Sequence, residues 1–110
     1  PYADFLHEQI EEVVKRFKPL DGVFLDMCWD QPSCSKWAIA GMEKLSLDPT
    51  SEADRNRYAR QLVHGYMKRY NDLIRKLNGS LPRVFYNSRP KVRLPEEKQF
   101  LRHVEIEALP

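Results

Sequence analysis

Phe5, Leu6, Ile10, Val13, Val14 and Phe17 recur at three- and four-residue intervals, with Glu8, Glu11, Glu12, Lys15 and Arg16 between them. That spacing predicts an amphipathic helix packed on one face and closed by Pro19. Gly22-Val23-Phe24-Leu25-Asp26-Met27 follows, a short and nearly continuous apolar run of the kind buried on both faces in a parallel sheet. The run ends in charge at Asp26. From Cys28 to Thr50 the signal is mixed and reads as an elaborated loop, with room for a short helix at Trp37, Ile39, Met42 and Leu45.

Ser51 followed by Asp54 is a helix start of the capping-box type, with Asp in place of the usual Glu. Behind it Ala59, Leu62, Val63, Tyr66, Met67, Tyr70, Leu73, Ile74 and Leu77 form one apolar stripe, which Asn78-Gly79 terminates. Arg83 to Ser88 is a β-prone run, Arg89 to Pro95 a polar connection, and Glu96 to Leu101 a helical turn. His103-Val104-Glu105-Ile106-Glu107 alternates with period two, as a third strand would.

Strand, crossover helix, strand is the βαβ unit, whose strands are parallel. The predicted class is therefore α/β, with about three parallel strands and flanking helices. Three such strands cannot bury both faces against the helices present, so the expectation is a partial (β/α)₈ TIM barrel. A whole barrel needs about 250 residues. Residues 1–110, opening at Pro1 and stopping at Pro110 directly after a strand-like run, read as a fragment of one such catalytic domain.

Charge narrows the partners. Eighteen Lys and Arg against sixteen Asp and Glu leave a formal charge of +2, and the two signs are interspersed, so no nucleic acid partner is expected. The apolar runs are too short for a bilayer, so no membrane partner is expected either. Cys28 and Cys34 are separated by five intervening residues, a spacing unlike the common zinc or redox motifs. They read as free thiols, one packed near a strand end, with a bridge in an oxidising compartment as the alternative, and no metal is expected. Oligomeric state, and a cytoplasmic or secreted location, are left open.

In an α/β barrel the working groups sit at the C-terminal ends of the strands. All three predicted strands end in polar groups: Asp26 on the first, Asn87 and Ser88 on the second, Glu105 and Glu107 on the third. Side chains alternate across a strand, so Asp26 groups with Gly22 and Phe24, Asn87 with Phe85, and both glutamates with His103. The first and third strands are about 10 Å apart at the backbone. Two carboxyl groups leaning across that gap reach the separations used for glycosidic bond cleavage, about 5 Å in retaining enzymes and roughly 6.5–9.5 Å in inverting ones.

Each of these residues also has a plainer reading. Asp26 could cap the next segment or pair with a cation, and Trp29 could be packing rather than a platform for a sugar face. His103 reads as structural, Tyr66, Met67 and Tyr70 as helix packing, and Arg55, Arg57, Arg60 and Arg69 as a solvated helix face.

The string from Asp21 to Met27, continued by Cys28-Trp29-Asp30-Gln31-Pro32, resembles a group of bacterial proteins known as hypothetical glycosyl hydrolase 6, related to the α-L-fucosidase barrels. The resemblance runs through Phe85-Tyr86-Asn87-Ser88-Arg89 to His103 through Pro110 and covers nearly the whole chain. In fucosidase-like barrels an Asp closing such a strand is the nucleophile, and the next strand carries an Asn-x-Arg element near the sugar.

What the resemblance implies is a fucosidase- or galactosidase-like glycoside hydrolase using paired carboxylates, retaining in outcome, on a carbohydrate substrate and without a cofactor. It implies Asp26 as nucleophile, and Glu107, nearer the strand end than Glu105 and so with easier access to the cleft, is the second catalytic candidate. Trp29, Asn87, Arg89 and Glu105 are then expected to bind substrate. Fucosidases usually place Gly after the nucleophile, where this chain has Met27. The alternative reading is a barrel segment that binds carbohydrate without cleaving it.

Overall fold

A computed structural model describes residues 2–104. In chain order it contains α1 (Tyr2–Phe17), β1 (Gly22–Leu25), α2 (Lys36–Lys44), α3 (Glu52–Asn78), β2 (Arg83–Tyr86), a 3₁₀ turn (Lys91–Arg93) and α4 (Leu94–Glu97). The chain divides into two compact units. One joins the residues up to Trp29 with those from Tyr66 onward, and the other is Asp30–Gly65.

The first unit carries the sheet. β1 and β2 are parallel neighbours, with Gly22 opposite Arg83, Val23 opposite Val84, Phe24 opposite Phe85 and Leu25 opposite Tyr86. Backbone bonds extend the pairing at both ends, from Arg83 N to Asp21 O (3.1 Å) and from Asn87 N to Leu25 O (2.8 Å). Those bonds turn the odd-numbered residues of β2 toward β1, so the Val84 carbonyl points away from β1. There it accepts from Arg102 N at 2.9 Å.

Among the described residues the sheet has two strands. Of the expected third strand, His103 and Val104 are not in strand conformation, and residues 105–107 lie outside the described region.

The alternation expected from sequence holds, but the expected burial of β1 on both faces does not: among the described residues Gly22 and Phe24 are exposed and Val23 and Leu25 half-buried. Val84 and Tyr86 are buried, whereas Phe24 on the opposite face is 46% exposed and stacks on Phe85 at 4.8 Å between ring centroids. His103 meets the edge of the Phe85 ring at 5.0 Å. On the buried side Tyr86 donates its hydroxyl to Met67 O (3.2 Å) and Asn71 Oδ1 (2.9 Å), tying β2 to α3. Asn71 Nδ2 in turn donates to Phe100 O at 2.7 Å.

α1 differs from expectation in the width of its packed face. Ile10 and Val14 are buried, while Phe5, Val13 and Phe17 are exposed. Leu6, Ile10 and Val14 form an i, i+4, i+8 line on this helix, and the other three flank it. At the far end of α3, Asn78 imitates a peptide group: its Oδ1 accepts from Leu20 N (2.8 Å) and its Nδ2 donates to Leu20 O (3.3 Å). The helix end thus holds the entry to β1.

In the second unit Ser35 caps α2, its hydroxyl accepting from Ala38 N, and Ala38, Met42 and Leu47 form a small core against Tyr58. A Cβ on Gly41 would stand 1.8 Å from the Tyr58 hydroxyl, so only glycine admits this approach. The expected capping box is half formed. Ser51 Oγ accepts from Asp54 N (3.3 Å), but the Asp54 carboxylate accepts from Asp48 N (3.0 Å) instead of returning to Ser51. The short Asp side chain closes on the neighbouring turn.

Candidate active site

Two parallel strands that end together deliver their next residues to one rim, and here those residues are Asp26 and Asn87. Asn87 Nδ2 donates to Asp26 Oδ1 at 2.8 Å, and Met27 N donates to the same oxygen at 2.8 Å. The orientation of the Asn87 amide follows from its other end, where Oδ1 accepts from Ser88 N at 2.8 Å. Asp26 is exposed, and among the described residues its second carboxylate oxygen accepts no hydrogen bond. One oxygen is held, and the other has no hydrogen bond from the described residues.

Each strand end turns through the left-handed region. Met27 has φ 56° and Ser88 φ 63°, conformations that favour glycine because a Cβ crowds the following carbonyl. The Met27 side chain is 66% exposed, so no packing compensates for that backbone. Met27→Gly should therefore raise stability by about 1 kcal/mol, read as a higher urea midpoint at unchanged slope. An unchanged or lower midpoint would show that the turn carries no such strain.

A second tier of contacts grips the next residue. Cys28 N donates to Asn87 O (3.2 Å), and Cys28 O accepts from Arg89 Nη1 (2.6 Å) and from the Tyr66 hydroxyl (3.3 Å). Arg89 also forms a two-pronged ion pair with Glu97, Nε to Oε2 at 2.9 Å and Nη2 to Oε1. The side chains of this pair are 2% and 0% exposed.

Burial sets the titration of the neighbouring groups. It pushes the Cys28 thiol above its ordinary 9.0, against a lowering hydrogen bond with Tyr66, and raises the Tyr66 and Tyr86 phenols well above their ordinary 10.0. All three hold their protons more tightly folded than unfolded. Their contribution to stability is thus complete below about pH 9 and is lost as pH rises through the thiol and phenol range.

Tyr86→Phe should show both effects of that phenol. At neutral pH it should cost about 1–3 kcal/mol, because Asn71 Oδ1 loses its donor. Above pH 10 its stability should fall less steeply than wild type, by up to about 1.4 kcal/mol per pH unit. Parallel curves would remove Tyr86 from the alkaline transition.

Of the residues singled out from sequence, Asp26 and Asn87 are brought into direct contact. Trp29 is 39% exposed, three residues beyond Asp26. Arg89 is buried among protein groups, and Glu105 and Glu107 lie outside the described residues. Cys28 is a buried free thiol and Cys34 an exposed one.

Sequence reasoning missed Glu97, which is fully buried although it stands beside Glu96 in a short, highly charged turn. A helical period through Leu94, Glu97 and Leu101 was the available signal. Tyr66 was placed correctly on the packed stripe of α3, but its hydroxyl reaches back to the loop after β1.

Asp26 and Asn87 meet at the C-terminal rim of the parallel strands, the end at which α/β folds place their working groups. No protein-family model and no curated protein matches the sequence. Among solved structures, the fold is similar to alpha-L-fucosidase isoenzyme 2 from Paenibacillus thiaminolyticus, with a TM-score of 0.82 and 27% identity over 94% of this chain. The chain spans about 16% of that enzyme's length. The similarity agrees with a segment of a fucosidase-like domain.

Proposed function

We propose that this chain is part of a (β/α)₈ glycoside hydrolase in which Asp26 attacks the anomeric carbon of a fucoside, galactoside or related glycan. The observation that carries the reading is the state of Asp26. It closes a parallel strand and has one oxygen fixed by Asn87 and Met27, while the other has no hydrogen bond from the described residues. A carboxylate so held keeps its orientation while an attacking oxygen stays available.

The fold similarity to an α-L-fucosidase supports the substrate class. The Arg102 bond to Val84, on the edge of β2 away from β1, supports further strands beyond β2. Exposed Trp29 is suited to a flat sugar face, and Glu107 is proposed as acid/base with Glu105 deeper at the sugar.

Retaining chemistry passes through a covalent glycosyl-enzyme. A 2-deoxy-2-fluoroglycosyl fluoride of the matching sugar should label the natural protein at Asp26, identified by peptide mass spectrometry. Turnover without an adduct would point to inversion. An adduct at another carboxylate would remove Asp26 from the role, and binding without turnover would favour the carbohydrate-binding alternative.

A further inference from the structure

We infer that Glu97 and Arg89 are positioning residues for Asp26, acting through the carbonyl of Cys28; the inference rests on the nucleophile role proposed above. Asp26 leaves β1 into Met27, whose backbone is left-handed, and within the turn Met27 N donates to Asp26 Oδ1 (2.8 Å) while the Cys28 thiol donates weakly to Leu25 O and Asp26 O (3.3 Å each). Further groups hold the turn from outside, and they act on the Cys28 backbone.

Its N–H is bonded to Asn87 O, and its carbonyl takes two donors, Arg89 Nη1 at 2.6 Å and the Tyr66 hydroxyl at 3.3 Å. A carbonyl gripped by a guanidinium and a phenol two residues beyond Asp26 leaves the intervening turn little freedom. Asn87 closes the same loop from the other strand, with its side chain on Asp26 and its carbonyl on Cys28.

Arg89 can serve only if its own direction is fixed. Glu97 does this with a two-pronged pair that aligns the planar guanidinium, leaving Nη1 aimed at Cys28 O. Both side chains are buried, so water does not compete for these bonds. Arg89, expected from sequence to bind substrate, has a buried side chain that reaches Cys28 O, one layer behind Asp26. Glu97 acts one layer further back, and α4 is the element that carries it.

The test has a readout that does not depend on catalysis. Cys28 is buried within the gripped turn and Cys34 is exposed, so one protein contains both the probe and its internal standard. In the natural protein Cys34 should alkylate quickly with iodoacetamide and Cys28 slowly, as scored by peptide mass spectrometry. The variant is the double replacement Arg89→Met with Glu97→Leu, which removes the grip while filling the space with apolar atoms.

A retained cooperative melt establishes that the variant folds; Glu97→Gln, which keeps the shape of the side chain, serves as the second variant if it does not. Cys28 should then alkylate at least about tenfold faster with Cys34 unchanged. Turnover of an activated aryl glycoside should fall about 100-fold in kcat, with KM within about threefold.

Unchanged Cys28 labelling in a folded variant would overturn the inference, as would faster labelling with kcat intact. If labelling accelerates but the wild-type protein cleaves no glycoside, the grip on the turn stands. The glycosidase reading is then what has failed.

Discussion

On the nucleophile role proposed above, Asp26→Ala in the intact enzyme is expected to reduce turnover of an aryl glycoside by on the order of 10⁴-fold, about 5 kcal/mol of activation free energy. The size follows from the step removed. Without the carboxylate no glycosyl-enzyme forms, and a water entering the gap is neither as nucleophilic nor oriented. The stability cost should stay within about 1–3 kcal/mol, because Asp26 is exposed and water can reach Met27 N, while the buried Asn87 loses one acceptor.

Azide gives the prediction its specificity. The cavity left by the carboxylate admits a small anion to the same face of the sugar, so azide should restore part of the turnover and yield a glycosyl azide of inverted configuration. Asn87→Ala should produce a smaller loss without azide rescue, since the nucleophile remains but is less firmly oriented. Near-normal turnover of Asp26→Ala would end the assignment and most of the mechanism with it.

The parts of this site legible in the sequence are those set by period and topology. β1 was recognisable because Val23, Phe24 and Leu25 form a run with no helical spacing, and β2 because Arg83 to Tyr86 is β-prone. Once the two are parallel neighbours, their following residues must share a rim, and so Asp26 meets Asn87.

Backbone conformation was less accessible. Nothing in the composition around Met27 marks a positive φ, yet its φ is 56°, where glycine would meet no steric cost. The flanking Asp26 and Cys28 are tied both within the turn and from outside it.

The groups that do the tying were hidden for a different reason. Pattern reading assigns charged residues to solvent, and Glu97 violates that assumption because its partner, Arg89, comes from beyond its own turn. Only the three-dimensional meeting of the two makes either burial tolerable. The over-wide packed face assigned to α1 has the opposite origin. Phe5, Val13 and Phe17 are apolar and correctly spaced, but the line through Ile10 and Val14 is the one that sits in the core.

Removing one half of the buried pair should therefore be among the most destabilising single changes in this chain. Arg89→Ala leaves the Glu97 carboxylate, 0% exposed, without its guanidinium, and also deprives Cys28 O of its shorter hydrogen bond. A loss of about 3–5 kcal/mol is expected, read as a fall in the urea midpoint. Glu97→Ala should cost a similar amount, because the buried guanidinium then loses its two-pronged carboxylate.

The two losses should not add. Once one partner is gone, deleting the other removes a buried charge that has lost its ion pair, so Arg89→Met with Glu97→Leu should recover much of the stability. The coupling between the two sites should thus be large and of opposite sign to the single losses. Single substitutions costing less than about 1 kcal/mol each, and adding in the double, would show that water or other groups replace the missing partner. Glu97 would then be a surface-like charge in effect, and Arg89 would hold the Cys28 carbonyl without help from α4.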